Sequence, residues 1–305
     1  MLNAKNSSNF TKNTKILIGL TAFLSLLYLM SFTKSCTSKD SRERVKTSLV
    51  NPKYKDSITS FELEDATGSL TINYNGQFWT AGSLPASPDR IQNLLENLTT
   101  IRNLYKISDK ISQKSTFGLT NGTEFHLRYN TEDSFHELIF GNQDFSLSSR
   151  YLMTEKNTQV YEIDNTLDKY LSTSLQSWAE PFIISQVVFG KIKADDIQRT
   201  QVINHEENHI SSISDPQKLL DLRHGGYPDF TTDELNEVTS EKPQLTIILE
   251  LGNKNEIELQ IFKSENENDF IVLTEYKSPK DTAPVFTSAS KISSWTYNKI
   301  KENTL

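Results

Sequence analysis

The order of strand and helix signals constrains the fold most, because the same series runs through the chain twice after residue 57. Two pairs of segments alternate apolar and polar residues on either side of a short polar stretch, the pattern of a β-hairpin. The paired segments are residues 58–63 with 69–74, and residues 197–203 with 209–213.

A helix-start signal follows each predicted hairpin. Ser87-Pro88 and Asp215-Pro216 each combine a capping side chain with a proline, which is favoured at the first helical position. After Ser87, apolar residues recur at helical spacing and predict a helix over residues 87–104. After Asp215 a shorter helix is expected, which Gly225 would end.

Short strands rich in aromatic and β-branched residues complete both halves, and each half closes with a helix. In the first half these strands cover residues 124–130, 135–141, 150–154 and 159–163, and a helix begins at Asn165. In the second half they cover residues 245–250, 256–262, 270–274 and 284–287, and the final helix carries Ala289, Ile292, Trp295 and Ile300. We therefore predict an α+β fold of two tandem, duplicated modules of antiparallel sheet with packed helices, residues 57–185 and 186–305.

Residues 16–32 form an uncharged apolar run with no counterpart elsewhere in the chain. At ~1.5 Å per residue a helix of this length just reaches across a bilayer core. A cleaved signal peptide would need a small-residue cleavage site, and a lipoprotein would need a fitting box before Cys36; both matches are poor. The uncleaved signal anchor is favoured, with residues 1–15 cytoplasmic and 33–56 a juxtamembrane linker.

Lysines and arginines flank the run on both sides, so the positive-inside rule does not favour a cytoplasmic N-terminus. We still expect that orientation, because an N-terminal anchor usually exports a large trailing domain. The protein would then be a single-pass inner-membrane protein whose C-terminal domain lies outside the cytoplasm.

The part of the chain after residue 50 is acidic, with 24 basic and 37 acidic residues and a net charge of −13. Such a charge disfavours nucleic acid as a partner and repels anionic lipid surfaces. The single cysteine allows no intramolecular disulfide, so the fold must rest on its apolar core.

His205-Glu206-Glu207-Asn208-His209 matches the H-E-x-x-H pattern, in which two histidines one helical turn apart bind zinc and the glutamate acts as general base. The neighbouring residues are strand-like, and the repeat places the motif at a hairpin tip. We expect exposed turn residues there, although Glu234 and Glu237 could supply a third ligand if a helix formed instead.

Other candidate groups have ordinary structural interpretations. His126, His136 and His224 are scattered, and Trp79 and Trp178 are expected to fill the core between sheet and helix. Arg223-His224-Gly225-Gly226 reads as the end of a helix rather than a phosphate-binding turn. We predict no catalytic, metal-binding or cofactor-binding residue.

The first half resembles a bacterial family of domains of unknown function. The resemblance rests on the Trp79 strand, Pro85-Ala86 before the helix, and Phe117-Gly118-Leu119 before the next strand. It continues through Leu138-Ile139-Phe140-Gly141, Arg150-Tyr151-Leu152 and Gln159-Val160-Tyr161-Glu162-Ile163. The family pattern has an Arg-Asp pair where this chain has Glu180-Pro181.

Members of that family are often encoded beside ABC transporters of the gliding-motility type. The resemblance implies an N-terminal anchor, an extracytoplasmic domain and no established enzymatic activity. Two functions remain open: a non-catalytic membrane-anchored accessory protein that binds transporter subunits or other envelope proteins, and an anchored zinc hydrolase that uses His205, Glu206 and His209. The oligomeric state is left open.

Overall fold

The computed structural model describes residues 18–25, 28, 42–120, 122–131, 134–154, 159–226, 232–264 and 268–304. Within the first 44 residues, residues 18–25 and Tyr28 are helical. The predicted anchor, residues 16–32, therefore lies partly outside the described residues, and Cys36 lies outside them entirely. In the described part of the chain, no helix is both long and apolar enough to cross a membrane.

Residues 45–305 form one compact unit that contains two antiparallel sheets with helices, so the α+β class is confirmed. Among the described residues, the first sheet has ten strands in the order β1-β6-β10-β9-β8-β7-β2-β3-β4-β5. Its strands are β1 (Arg44–Thr47), β2 (Ile58–Asp65), β3 (Gly68–Tyr74), β4 (Trp79–Ala81), β5 (Leu84–Pro85), β6 (Arg102–Ser108), β7 (Phe125–Thr131), β8 (Phe135–Gln143), β9 (Ser149–Thr154) and β10 (Val160–Asp164).

The second sheet, in the part of the chain that the structure describes, has six strands in the order β12-β11-β13-β14-β15-β16. The series β3-β2-β7-β8-β9-β10 in the first sheet has the same connectivity, a hairpin followed by a meander. The second-sheet strands are β11 (Ile197–Asn204), β12 (His209–Ser211), β13 (Leu245–Leu251), β14 (Glu256–Lys263), β15 (Asp269–Lys277) and β16 (Phe286–Ser293).

After residue 44, the described helices are short and pack beside the sheets. They are α1 (Pro88–Thr99), α2 (Leu175–Trp178), α3 (Pro216–Leu220), α4 (Thr232–Ser240) and α5 (Ser294–Glu302). In α1 the apolar face predicted from the sequence is buried through Ile91, Leu94 and Leu98. Full burial of each such side chain stabilises the fold by about 1.5–3 kcal/mol.

Each sheet has its own main apolar core, and Phe78 crosses from the first sheet into the second core. The first core gathers the α1 face, Trp178 and the apolar residues of β2, β3 and β7–β9. The second gathers β11 and β13–β16 together with Ile183, Ile184 and Val188, which lie in the chain between the two sheets. Phe78, from the turn before β4, is buried in this second core, where its ring meets the Phe286 ring edge-on at 5.5 Å.

The predicted helix over residues 87–104 is too long, because α1 ends at Thr99 and Arg102 starts β6. The Arg102 guanidinium is buried and donates to Asp164 at 3.0 Å and to Thr166 at 2.7 Å. These contacts hold the segment as a strand between β1 and β10. The adjacent Thr99, Thr100 and Ile101 are β-branched and add little to helix stability.

Three further boundaries differ from the prediction. The segment after Asn165 forms a 3-10 helix, Asn165–Tyr170, and the separate short α2 instead of one α-helix. Ala289 and Ile292 lie in β16, and the last helix begins at Ser294. The expected linker over residues 33–56 also overlaps folded structure, since β1 and a 3-10 helix, Pro52–Ser57, fall within or across its end.

Candidate functional site

Residues 179–193, which we call the connector, lie in the chain between the strands of the first sheet and those of the second and are hydrogen-bonded to residues beside both. On the first module, Ala179 forms an antiparallel bridge with Ala86, and the Glu180 N–H donates to the Pro85 carbonyl at 2.8 Å. The Ser87 N–H also donates to the Trp178 carbonyl at 2.8 Å. These bonds place the start of the connector beside the N-terminal turn of α1.

On the second module, the connector runs against the segment that follows α3. Phe182 forms an antiparallel bridge with Arg223, and the Ile183 N–H donates to the Leu222 carbonyl at 3.1 Å. The His224 N–H donates to the Pro181 carbonyl at 3.1 Å. The connector is therefore held on both sides.

A cavity of about 660 Å³ opens where these three segments meet, and we call it the cleft. Its walls come from Ser87-Pro88-Asp89 at the start of α1, from the connector, and from α3 with the residues after it. A second cavity of about 320 Å³ shares Pro88, Gln186 and Val187 with the cleft. Its remaining wall is largely aromatic, with Tyr74, Phe78 and Trp79.

Glu180 lines the cleft and is 4% exposed. Burial raises the pKa of its carboxyl, and the raise is limited by donation from the Ser185 hydroxyl at 2.7 Å and the Gln186 N–H at 2.8 Å. Both carboxylate oxygens are thus hydrogen-bonded, as a buried carboxylate requires.

The groups around Glu180 form a buried polar layer beneath the cleft. The His224 Nε2 atom contacts the Glu180 carbonyl at 2.9 Å, and burial lowers the pKa of this histidine. The Tyr276 hydroxyl accepts a hydrogen bond from the Ser185 N–H, and burial raises the pKa of the phenol. At neutral pH His224 and Tyr276 are therefore uncharged.

Charged side chains of both signs surround the cleft. Lys191, Lys193 and Arg223 line it together with Asp89 and Asp221. The Arg223 guanidinium lies over the Phe182 ring, 5.3 Å from its centroid. This combination of apolar surface with cations and anions suits the binding of a ligand or chain segment that carries polar groups.

Residues 205–208 of the H-E-x-x-H sequence form the turn between β11 and β12, as predicted, and His209 is the first residue of β12. Asn204 accepts from the N–H groups of Glu206 and Glu207 at 3.1 and 3.2 Å, and Asn208 has a positive φ of 50°. The motif is therefore not on a helix, and its two histidines do not stand one helical turn apart.

The side chains of this turn are directed to separate contacts. His205 Nε2 lies 2.9 Å from the Thr246 hydroxyl, and burial and the Lys242 charge lower its pKa. His209 is exposed, and Glu237 lies on the separate helix α4. Among the described residues, no cluster of three or more His, Cys, Asp or Glu side chains is arranged to hold a metal ion.

The remaining candidates lie apart from one another. Trp178 is fully buried in the first core, whereas Trp79 is half-buried and also lines the aromatic cavity. His126 and His136 are on the first sheet, where His126 pairs with Glu137 at 2.8 Å. Helix α3 ends at Leu220, so Gly225 is not its cap.

Sequence reasoning missed the cleft, whose residues come from three distant segments. One sequence feature could have indicated a buried polar residue at this place. An acidic residue and a proline, Glu180-Pro181, directly precede the apolar run Phe182-Ile183-Ile184.

The family model described as Domain of unknown function (DUF4340) matches residues 78–269, which is more than half of the chain. The chain belongs to this family. The DUF4340 region begins at Phe78 and includes α1, the connector and α3, so it covers every wall of the cleft. The resemblance to a family of unknown function is thereby confirmed. No curated protein and no solved structure matches the chain.

Proposed function

We propose that this protein is a non-catalytic, membrane-anchored accessory protein outside the cytoplasm, and that it binds a partner through the cleft. The observation that carries the proposal is the cleft itself, whose walls come from both modules and the connector. Its volume lies within the ~300–1,000 Å³ that is usual for binding sites. The partner group would be part of a second envelope protein.

The composition of the cleft supports a polypeptide ligand. Lys191, Lys193 and Arg223 offer positive charge, Asp89 and Asp221 offer negative charge, and the adjoining cavity offers Phe78 and Trp79. An extended segment with alternating polar and apolar side chains would satisfy both cavities.

We also propose that the two modules, residues 57–185 and 186–305, arose by tandem duplication. The same spatial order of a hairpin and a four-strand meander in both sheets supports this. Duplication would explain why one chain builds a cleft between two similar units.

The membrane anchor and the association with an ABC transporter of the gliding-motility type are supported by the apolar run of residues 16–32 and by the family resemblance. The test is affinity purification of the full chain from detergent-solubilised membranes, followed by identification of co-purifying transport components. The wild-type chain should retain a transport component, and Lys191→Glu with Arg223→Glu should lose it.

Lys280→Glu is the matched control, because Lys280 is also exposed but does not line the cleft. Loss of the partner with the control as well would point to overall charge instead of the cleft. Retention by the double variant would exclude the cleft, and a wild-type chain without any transport component would contradict the association.

Membrane orientation has its own test. Protease added to intact spheroplasts should digest the chain beyond about residue 40 and leave the short N-terminus protected. Protection of the large domain would place it in the cytoplasm and exclude an envelope role.

The zinc-hydrolase alternative is decided by metal analysis of the purified protein. We expect no stoichiometric zinc, because His205 and Glu206 lie in the turn between β11 and β12 while His209 begins β12. Stoichiometric zinc that disappears with His205→Ala would restore the alternative.

A further inference from the structure

The loop between β8 and β9, residues 144–148, holds two apolar side chains out into solvent, and we call it the apolar loop. Phe145 is 105% exposed and Leu147 is 61% exposed. Single apolar residues on a surface are common. This pair differs because of how the loop beneath it is built.

The Asp144 carboxylate organises the loop from inside. It accepts from the N–H groups of Ser146 at 3.1 Å, Ser148 at 3.0 Å and Ser149 at 2.9 Å, and also from the Ser146 hydroxyl. These hydrogen bonds lower the pKa of Asp144 to about 2. The loop therefore keeps its negative charge and its internal bonds across the physiological pH range.

Contacts from outside the loop fix it further. The Asn165 side chain donates to the Leu147 carbonyl at 2.8 Å, and the Asn165 N–H donates to the Ser148 carbonyl at 3.2 Å. A loop that is ordered before binding loses less conformational entropy when a partner docks.

Leu147 has a φ of 59°, in the left-handed region. Glycine or asparagine adopts this conformation more readily than a leucine does. An exposed apolar side chain on a residue in this costly backbone conformation does not stabilise the folded monomer. An observed backbone outlier of this kind points to a function for the side chain.

The second sheet supplies an internal comparison. Its loop between β14 and β15 occupies the same place in the strand order, and residues 264–268 read Ser-Glu-Asn-Glu-Asn. Joining two such strands therefore does not require apolar residues. The corresponding loop of the second sheet has no apolar residue in place of Phe145 or Leu147. Neither of these residues lines the cleft or its neighbouring cavity.

We propose that the apolar loop docks into an apolar pocket on a different protein, with Phe145 and Leu147 as the anchoring side chains and basic residues of the partner facing Asp144. Aromatic side chains seated in a pocket commonly dominate interface energetics. This contact is additional to the cleft and does not depend on the identity of the cleft's partner.

Charge favours a protein over a lipid surface as the occupant. The chain after residue 50 has a net charge of −13, and residues 144–149 contain no basic side chain. The next basic residue, Arg150, is committed to Asp168 at 2.6 Å. Loops that insert into anionic membranes usually carry lysine or arginine beside their apolar residues.

The test uses the full-length chain in its own membrane with a photo-crosslinking amino acid at position 145. A discrete adduct with a different protein is expected from position 145, and Leu147→Ser should abolish it. The same crosslinker at Asn268, in the corresponding loop of the second sheet, should give no such adduct. An adduct with lipid, an adduct with a second copy of the chain, or no adduct would each overturn the proposal.

Affinity for the crosslinked protein then decides whether the contact is an anchor. Phe145→Ser should weaken binding at least about 10-fold, whereas Phe135→Ser should leave it unchanged. Phe135 is a fair control because it is 46% exposed at the opposite end of the same strand, β8. Equal affinities for the two variants would contradict the proposal. This outcome does not depend on whether the transporter association holds.

Discussion

The two sheets share a hairpin and a four-strand meander but differ in what their connections contain. In the first sheet, the segment after the hairpin adds β4, β5, the 12-residue helix α1 and β6. In the second sheet, the corresponding segment holds the 5-residue helix α3 and the separate α4. The shared strands form the framework, and the inserted segments build the cleft together with the connector.

The helix-start signals illustrate the same difference at single residues. Asp215 accepts from the N–H groups of Gln217 at 3.1 Å and Lys218 at 3.4 Å, so it caps α3. Ser87 makes no side-chain cap bond, and its N–H donates to Trp178 beside the connector. Similar sequence signals therefore have different roles once the modules are packed.

The largest expected effect tests whether the two sheets unfold together. Phe78→Ala removes a first-module ring from the second core and should lower the free energy of unfolding by about 3–5 kcal/mol. Hydrogen exchange should then accelerate in both sheets, because the two share one compact unit. Phe135→Ala is the exposed control, for which a change within about 0.5 kcal/mol is expected. Faster exchange in one sheet alone would show that the modules unfold separately.

The next prediction concerns the connector that separates the sheets. Glu180→Ala leaves the Ser185 hydroxyl and the Gln186 N–H without their acceptor, at a cost of about 1–3 kcal/mol. Denaturant titration measures the loss. Glu180→Gln keeps an acceptor of similar shape and should cost less; an equal cost would mean that the hydrogen bonds are unimportant.

The pH dependence of Glu180→Gln sharpens this result. Because burial raises the pKa of Glu180, the folded state holds its proton more tightly than the unfolded state does. The wild-type chain therefore loses stability relative to the glutamine variant as pH rises from about 4.5 through the folded-state pKa. Unfolding of both proteins should be compared from pH 4 to pH 8. A difference in unfolding free energy that stays constant over this range would show that burial does not raise the pKa of Glu180.

The smallest effect separates the two helix-start signals. Asp215→Ala should destabilise the protein by about 1 kcal/mol, because two N–H groups of α3 lose their acceptor. Ser87→Ala should cost less, since that hydroxyl caps nothing. Thermal unfolding of the two variants at one pH measures the order, and equal losses would mean that Ser87 acts as a cap in solution.

Periodicity and turn signals in the sequence were sufficient to predict most of the strands and hairpins of this protein and the start of its longest helix after residue 44. Alternating apolar residues predicted both hairpins, the meander strands other than β16 were placed within a few residues, and Ser87-Pro88 marked the start of α1. The polar turn at residues 205–208 followed from its strand-like neighbours. These features depend on interactions between residues close in the chain, which periodicity and turn chemistry report directly.

Tertiary structure alone decided the rest. Residues 102–108 form a strand instead of the end of a helix because Arg102 donates hydrogen bonds to Asp164 and Thr166, which are distant in the sequence. The cleft required the connector to bond to both Pro85 and Leu222. Pairings over such separations depend on which surfaces the whole chain can bury together, and no local pattern records that choice.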